Sequence, residues 1–80
     1  MKIPRDLSGE QLVRLLKKLG YRIARQKGSH IRLTTDEPNE HHITIPNHDP
    51  IKLGTLNGIL SDIAEHQNLT KEELLDFLFS

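Results

Sequence analysis

The stretch YRIARQKGSHIRLTTDEPNEHHITIP, residues 21–46, decides the fold. It holds three short runs of alternating apolar and polar residues, separated by two turn signals. His30 to Thr35 alternates most clearly. Ile31 and Leu33 fall on one face and His30, Arg32 and Thr34 on the other, because successive strand side chains point to opposite sides. His41 to Pro46 repeats the pattern, with Ile43 and Ile45 toward a core and His42 and Thr44 away from it. Pro46 has no amide donor and stops the strand. Tyr21 to Lys27 alternates less cleanly, with Tyr21, Ile23 and Arg25 on one side and Arg22, Ala24 and Gln26 on the other. Lys27-Gly28-Ser29 supplies a tight turn after the first run, and Asp36-Glu37-Pro38-Asn39 a turn cluster after the second. Three strands in series with short turns predict an antiparallel meander.

Helical signals lie on both sides of the meander. Ser8-Gly9-Glu10-Gln11 reads as a capping box, with Ser at the cap and Gln three residues on. Leu12, Leu15, Leu16 and Leu19 follow at helical spacing, so a helix is expected from about residue 9 to about residue 19. Gly20 stands where a left-handed residue would end it. Its polar face carries Arg14, Lys17 and Lys18. Beyond the strands, residues 47–52 form a loop containing His48 and Pro50. A second helix starts near Leu53-Gly54-Thr55, with Leu56, Ile59, Leu60 and Ile63 as its apolar stripe. Gly58 costs that helix some propensity, which close packing would offset. Thr70-Lys71-Glu72-Glu73 is a second capping box, opening a short apolar helix over about residues 70–79. Part of its Leu74, Leu75, Phe77 and Leu78 cluster is expected to complete the core, and the rest to face a partner protein or a second copy. The order α-β-β-β-α-α predicts an α+β domain, one over residues 1–80, with helices covering one face of the sheet.

Composition bounds the function. Eighty residues support one modest core, which needs tight packing or a partner. With no Cys, disulfides and thiolate metal sites are excluded. Apolar runs are too short to span a bilayer, and Met1-Lys2-Ile3-Pro4-Arg5-Asp6 does not read as a signal peptide, so a cytoplasmic protein is expected. Net charge is zero, but its distribution is uneven. Residues 1–32 hold nine Lys and Arg against two acids, a net of +7; residues 33–80 hold two against nine, a net of −7. A basic half in so small a domain points to a polyanion-facing side, unless folding intermingles the two sets.

Three blocks carry a family resemblance. Gly28-Ser29-His30 follows a leucine-rich helix and Gly20 and sits between the first two strands. Ile43-Thr44-Ile45-Pro46-Asn47-His48 is an apolar strand ending in Pro-x-His. Lys52-Leu53-Gly54-Thr55-Leu56-Asn57-Gly58-Ile59-Leu60 opens the second helix. In order and spacing, over roughly residues 7–64, these resemble the signatures of the HicA mRNA interferase toxins. The resemblance implies a fold like the double-stranded RNA-binding domain, α-β-β-β-α, here with a short extra C-terminal helix. It also implies a metal-independent endoribonuclease that cleaves mRNA, needs no cofactor and is neutralised by a HicB-type antitoxin. The family's catalytic histidine falls on His30.

The chemistry fits that position. RNA carries its own nucleophile, the 2′-OH, so cleavage needs proton transfers and charge stabilisation at phosphorus. Histidine titrates near neutrality and suits the transfers as general acid/base. The Gly28 and Ser29 amides are placed to bind a phosphate oxygen as a turn-borne anion nest does, and the Ser29 hydroxyl adds a donor. Lys27, Arg25 and Arg32, with Lys17 and Lys18 on the helix, are expected to hold flanking phosphates. His48 is a candidate second acid/base or phosphate contact, or a loop residue that merely caps the following turn. His41 and His42, with His48, invite a zinc reading, but adjacent strand residues face opposite ways and do not readily share a metal. The bland reading of that pair is exposed strand histidines, and of His66 a helix-end cation or surface residue. Two other classes remain in view. A non-catalytic RNA-binding module would use the same basic half; with only Tyr21, Phe77 and Phe79 as aromatics it would not read bases by stacking. A pure protein-interaction domain would show no RNA affinity, even at low salt. A homo-oligomer or a heteromeric toxin–antitoxin complex fits the first reading.

Overall fold

The computed structural model describes residues 3–79; Met1 and Lys2, read above with the N-terminal segment, and Ser80 lie outside the described residues. Helix α1 spans Gly9–Leu16 and opens on the expected capping box. The Ser8 hydroxyl accepts from the Gln11 amide at 3.1 Å, and the Gln11 side chain accepts from the Ser8 amide at 2.9 Å. Its last turn tightens into a 3₁₀ segment, Lys17–Leu19. Gly20 takes φ +83°, the left-handed conformation. The Gly20 amide then reaches the Lys17 carbonyl and the Tyr21 amide the Leu16 carbonyl, the paired bonds of a Schellman stop.

Strands β1 (Arg22–Lys27), β2 (His30–Thr35) and β3 (His41–Pro46) form one antiparallel sheet in the order β1-β2-β3. Helices α2 (Leu53–His66) and α3 (Lys71–Phe79) complete an α+β fold of the order α-β-β-β-α plus a further helix. Ile31, Leu33, Ile43 and Ile45 point into the core, where they meet Leu12 and Leu16 of α1 and Leu56, Leu60 and Ile63 of α2. All three helices therefore share one sheet face. Leu74, Leu75 and Leu78 of α3 join that core, while Phe77 is exposed. The α3 capping box is formed as expected, with Thr70 and Glu73 exchanging bonds. Among the described residues no helix is long and apolar enough to cross a membrane.

Two expectations are corrected. A Cβ on Gly58 would meet nothing within 4 Å, so no close packing explains this glycine. Strict alternation along β1 also fails. Ile23 pairs with Leu33 and Arg25 with Arg32, which leaves Ala24 as an extra residue in a bulge. Ile23 keeps the helix side, but Arg25 moves to the opposite face and Gln26 turns inward beside Ile31. Thr34 holds the outer face by register, between Arg22 and His42, yet it is buried, and its hydroxyl donates to the His41 carbonyl.

Candidate nucleic-acid interface

The turn that carries His30 is a two-residue hairpin. Lys27 and His30 face each other across Gly28 and Ser29. Gly28 has φ +57°, and Ser29 does not have positive φ. Positive φ at the first central residue alone is the mark of a II′ turn, and glycine supplies it without strain. Neither central amide reaches a backbone carbonyl among the described residues. Both residues are exposed, so two adjacent N–H groups remain open to an anion.

His30 is exposed at the rim of the sheet's outer face, which the helices leave bare. Three rows cross that face: Lys27, His30 and Pro46; then Arg25, Arg32 and Thr44; then Arg22, Thr34 and His42. The first two rows hold three cations and no acid. Arg32 donates to the Thr44 hydroxyl at 3.4 Å, which holds the guanidinium over the sheet. The third row is neutralised: Arg22 pairs with Asp36 at 3.2 Å and His42 with Glu40 at 2.7 Å. The basic end of the face is thus the end that bears His30. Arg25 directly opposite Arg32 is a like-charge cross-strand pair, which destabilises a sheet. Features that break a local rule in this way concentrate where a ligand compensates them.

A clamp holds the other candidate histidine alongside. The Asn47 amide donates to the Ser29 carbonyl at 2.7 Å, and the Gly9 amide to the His48 carbonyl at 2.9 Å. A Cβ on Gly9 would come within 2.3 Å of the Pro46 carbonyl oxygen, so only glycine admits this approach. Pro46-Asn47-His48 is thereby tied to both the hairpin turn and the start of α1. Sequence reading singled out His48 but missed Gly9 and Asn47 as the residues that place it. The available signal was a glycine in the first turn of a helix, where it costs propensity without another reason.

The remaining cations separate. Lys17 stands over a groove on the helix side of β1, not on the His30 face. The Lys18 ammonium donates to the Leu78 carbonyl at 3.4 Å, at the end of α3. The structure therefore brings Arg25, Lys27, Gly28, Ser29, His30 and Arg32 together, with His48 on the adjoining loop, and leaves Lys17 and Lys18 apart.

The other histidines lie at the far end of the sheet. His41 points inward: the Tyr21 hydroxyl lies 2.7 Å from its Nδ1 and Asp62 3.2 Å from its Nε2. A carboxylate only accepts, so Nε2 carries a proton toward Asp62. His66 stacks on His41 with ring centroids 4.2 Å apart, and its Nε2 is buried without a partner among the described residues. His41 and His66 are thus packed groups, correcting the expectation of surface histidines. His42 faces away toward Glu40, so the adjacent pair does not converge. Burial pushes the Tyr21 hydroxyl above its ordinary pKa of 10.0, the Gln67 side chain works against this, and the Asp62 charge adds to it.

Fold and site together define a small α+β protein whose sheet leaves one face free, basic and histidine-bearing at a single end. Residues 9–64 match the family of the HicA toxin of bacterial toxin–antitoxin systems, and the chain belongs to that family. No curated protein and no solved structure matches it. The matched span begins at the Gly9 clamp and ends within α2, so α3 lies outside it.

Proposed function

We propose that this toxin is an endoribonuclease that cuts mRNA without a metal, with His30 as general acid/base. The observation that carries the reading is the exposed His30 at the bare, cationic end of an open sheet face, beside two unengaged turn amides. His30 takes the proton from the ribose 2′-OH, and the 2′ oxygen attacks phosphorus. The bond from phosphorus to the 5′ oxygen breaks, and that oxygen receives a proton. The products are a 2′,3′-cyclic phosphate and a 5′-hydroxyl end. Gly28 and Ser29 amides bind a non-bridging oxygen, and Arg25, Lys27 and Arg32 offset the charge that builds on the phosphoryl group. His48 is the second acid/base, delivered by the Gly9 and Asn47 bonds. A HicB-type antitoxin is the neutralising partner that the family pairing suggests.

The test is cleavage of single-stranded RNA in EDTA by the parent and by His30→Ala. Cutting by the parent alone supports the reading. RNA binding by both with cleavage by neither would replace it with the non-catalytic binding module, which the same basic face also suits.

A further inference from the structure

On the helix side of β1 a groove opens that the His30 face does not use. Val13, Ile23 and Ile31 give it an aliphatic floor, and Glu10, Arg14, Lys17 and Gln26 line the rest. Ile23 is 47% exposed, although its cross-strand partner Leu33 is 1% exposed. Helices α1 and α2 make their main sheet contacts on β3, at the opposite edge from β1. Arg14 and Lys17 have no carboxylate partner among the described residues. β1 is an edge strand and all six of its residues are exposed, so one row of its backbone donors and acceptors meets no other strand.

We propose that this groove and the free edge of β1 dock an extended, acidic polypeptide segment. The segment lays an apolar side chain on Ile23, sets carboxylates against Arg14 and Lys17, and pairs its backbone with the Arg25–Lys27 run beyond the bulge. Strand addition of this kind takes affinity from main-chain bonds and selectivity from side-chain pockets. Three observations favour a polypeptide over RNA here. The floor is aliphatic, no aromatic side chain lines the groove to stack a base, and the free backbone edge matches another backbone. Charge is complementary, since the cations lining the groove, Arg14 and Lys17, have no carboxylate partner among the described residues. A segment seated there ends at the turn that bears His30, so a protein bound along this edge obstructs RNA. That consequence rests on the ribonuclease reading; the docking chemistry does not.

The probe is a capped octapeptide alternating glutamate with leucine, titrated into isotope-labelled full-length protein and followed by NMR. Shifts at the Val13, Ile23 and Ile31 methyls and the residue 25–27 amides are expected. Ile23→Asp should weaken binding roughly tenfold. A lysine–leucine peptide should leave those signals unmoved. No shift with the acidic peptide, or shifts confined to other surfaces, overturns the proposal. So does a 2′-O-methyl RNA hexamer that moves the groove methyls in the same way, which would give the groove to RNA. Cleavage by Ile23→Asp, measured in parallel, tells a failed docking surface from a failed ribonuclease reading, because Ile23 is not among the residues proposed to touch RNA.

Discussion

The two ends of the sheet hold histidines in opposite circumstances. At the hairpin end His30 has no side-chain bond among the described residues and is surrounded by cations without counter-charges. At the far end His41 is gripped by Tyr21, Asp62 and His66, and His42 by Glu40. Arginines follow the same division: Arg22 has Asp36, whereas Arg25 faces Arg32. One end pairs its charged and ring groups with one another, His66 Nε2 excepted, and contributes to stability. The other leaves them unsatisfied, which suits a ligand that brings its own negative charge. Counting histidines or cations would not separate the two ends; their partners do.

Exchanging the ends by mutation tests this contrast. His30→Ala should lower RNA cleavage by about 100-fold or more, with thermal stability unchanged. A variant that still cuts would erase the functional half of the comparison. His41→Ala should do the reverse. It removes one partner of the buried Tyr21 hydroxyl, leaving Gln67, and takes away a stacked ring, costing about 1–3 kcal/mol by denaturant unfolding. Cleavage measured well below its melting temperature should stay near the parent's. Arg25→Gln should weaken RNA binding several-fold and reduce the slope of log K against log salt by about 0.7, the value for one phosphate contact on a single strand. Its stability should match or slightly exceed the parent's, because a like-charge pair is relieved. An unchanged salt slope would show that Arg25 does not touch the backbone of the RNA.

The smallest effect concerns Tyr21. Its folded-state pKa is raised above the ordinary 10.0, chiefly by burial, so the folded protein holds this proton more tightly than the unfolded chain. That contribution is complete below pH 10 and is lost as pH rises through the folded value. Tyr21→Phe should cost about 1 kcal/mol at neutral pH, through the lost bond to His41, and flatten the alkaline fall in stability. Parallel alkaline curves for parent and variant would place the sensitivity elsewhere.

The sequence revealed much of the fold because its signals were local. Ser8 with Gln11, Thr70 with Glu73, and Gly20 behave as their neighbours in the chain dictate. β2 and β3 alternate without interruption, so their inward and outward residues were readable. What escaped depends on contacts between distant segments. The Ala24 bulge is a property of β1 paired with β2 and has no signature in β1 alone. The Gly9 clamp joins residues nearly forty positions apart. Of the site, Gly28, Ser29 and His30 were legible as a turn. Arg25 was placed on the wrong face by simple alternation, and Lys17 and Lys18 could not be separated from the basic face until α1 was packed. The inward His41 was hidden because its partners Tyr21, Asp62 and His66 come from outside its strand.

Ala24 also gives the length of β1 a meaning that its composition does not have. A strand side chain has only two directions, so one supernumerary residue acts as a parity operation on everything that follows it until the turn. Arg25, Gln26 and Lys27 all take their orientation from it. Among chains of this kind, a one-residue gap near this position is therefore no neutral difference in strand length. It decides whether a cation faces the open side of the sheet or the helices, and a comparison of relatives should score it as a change of the basic face.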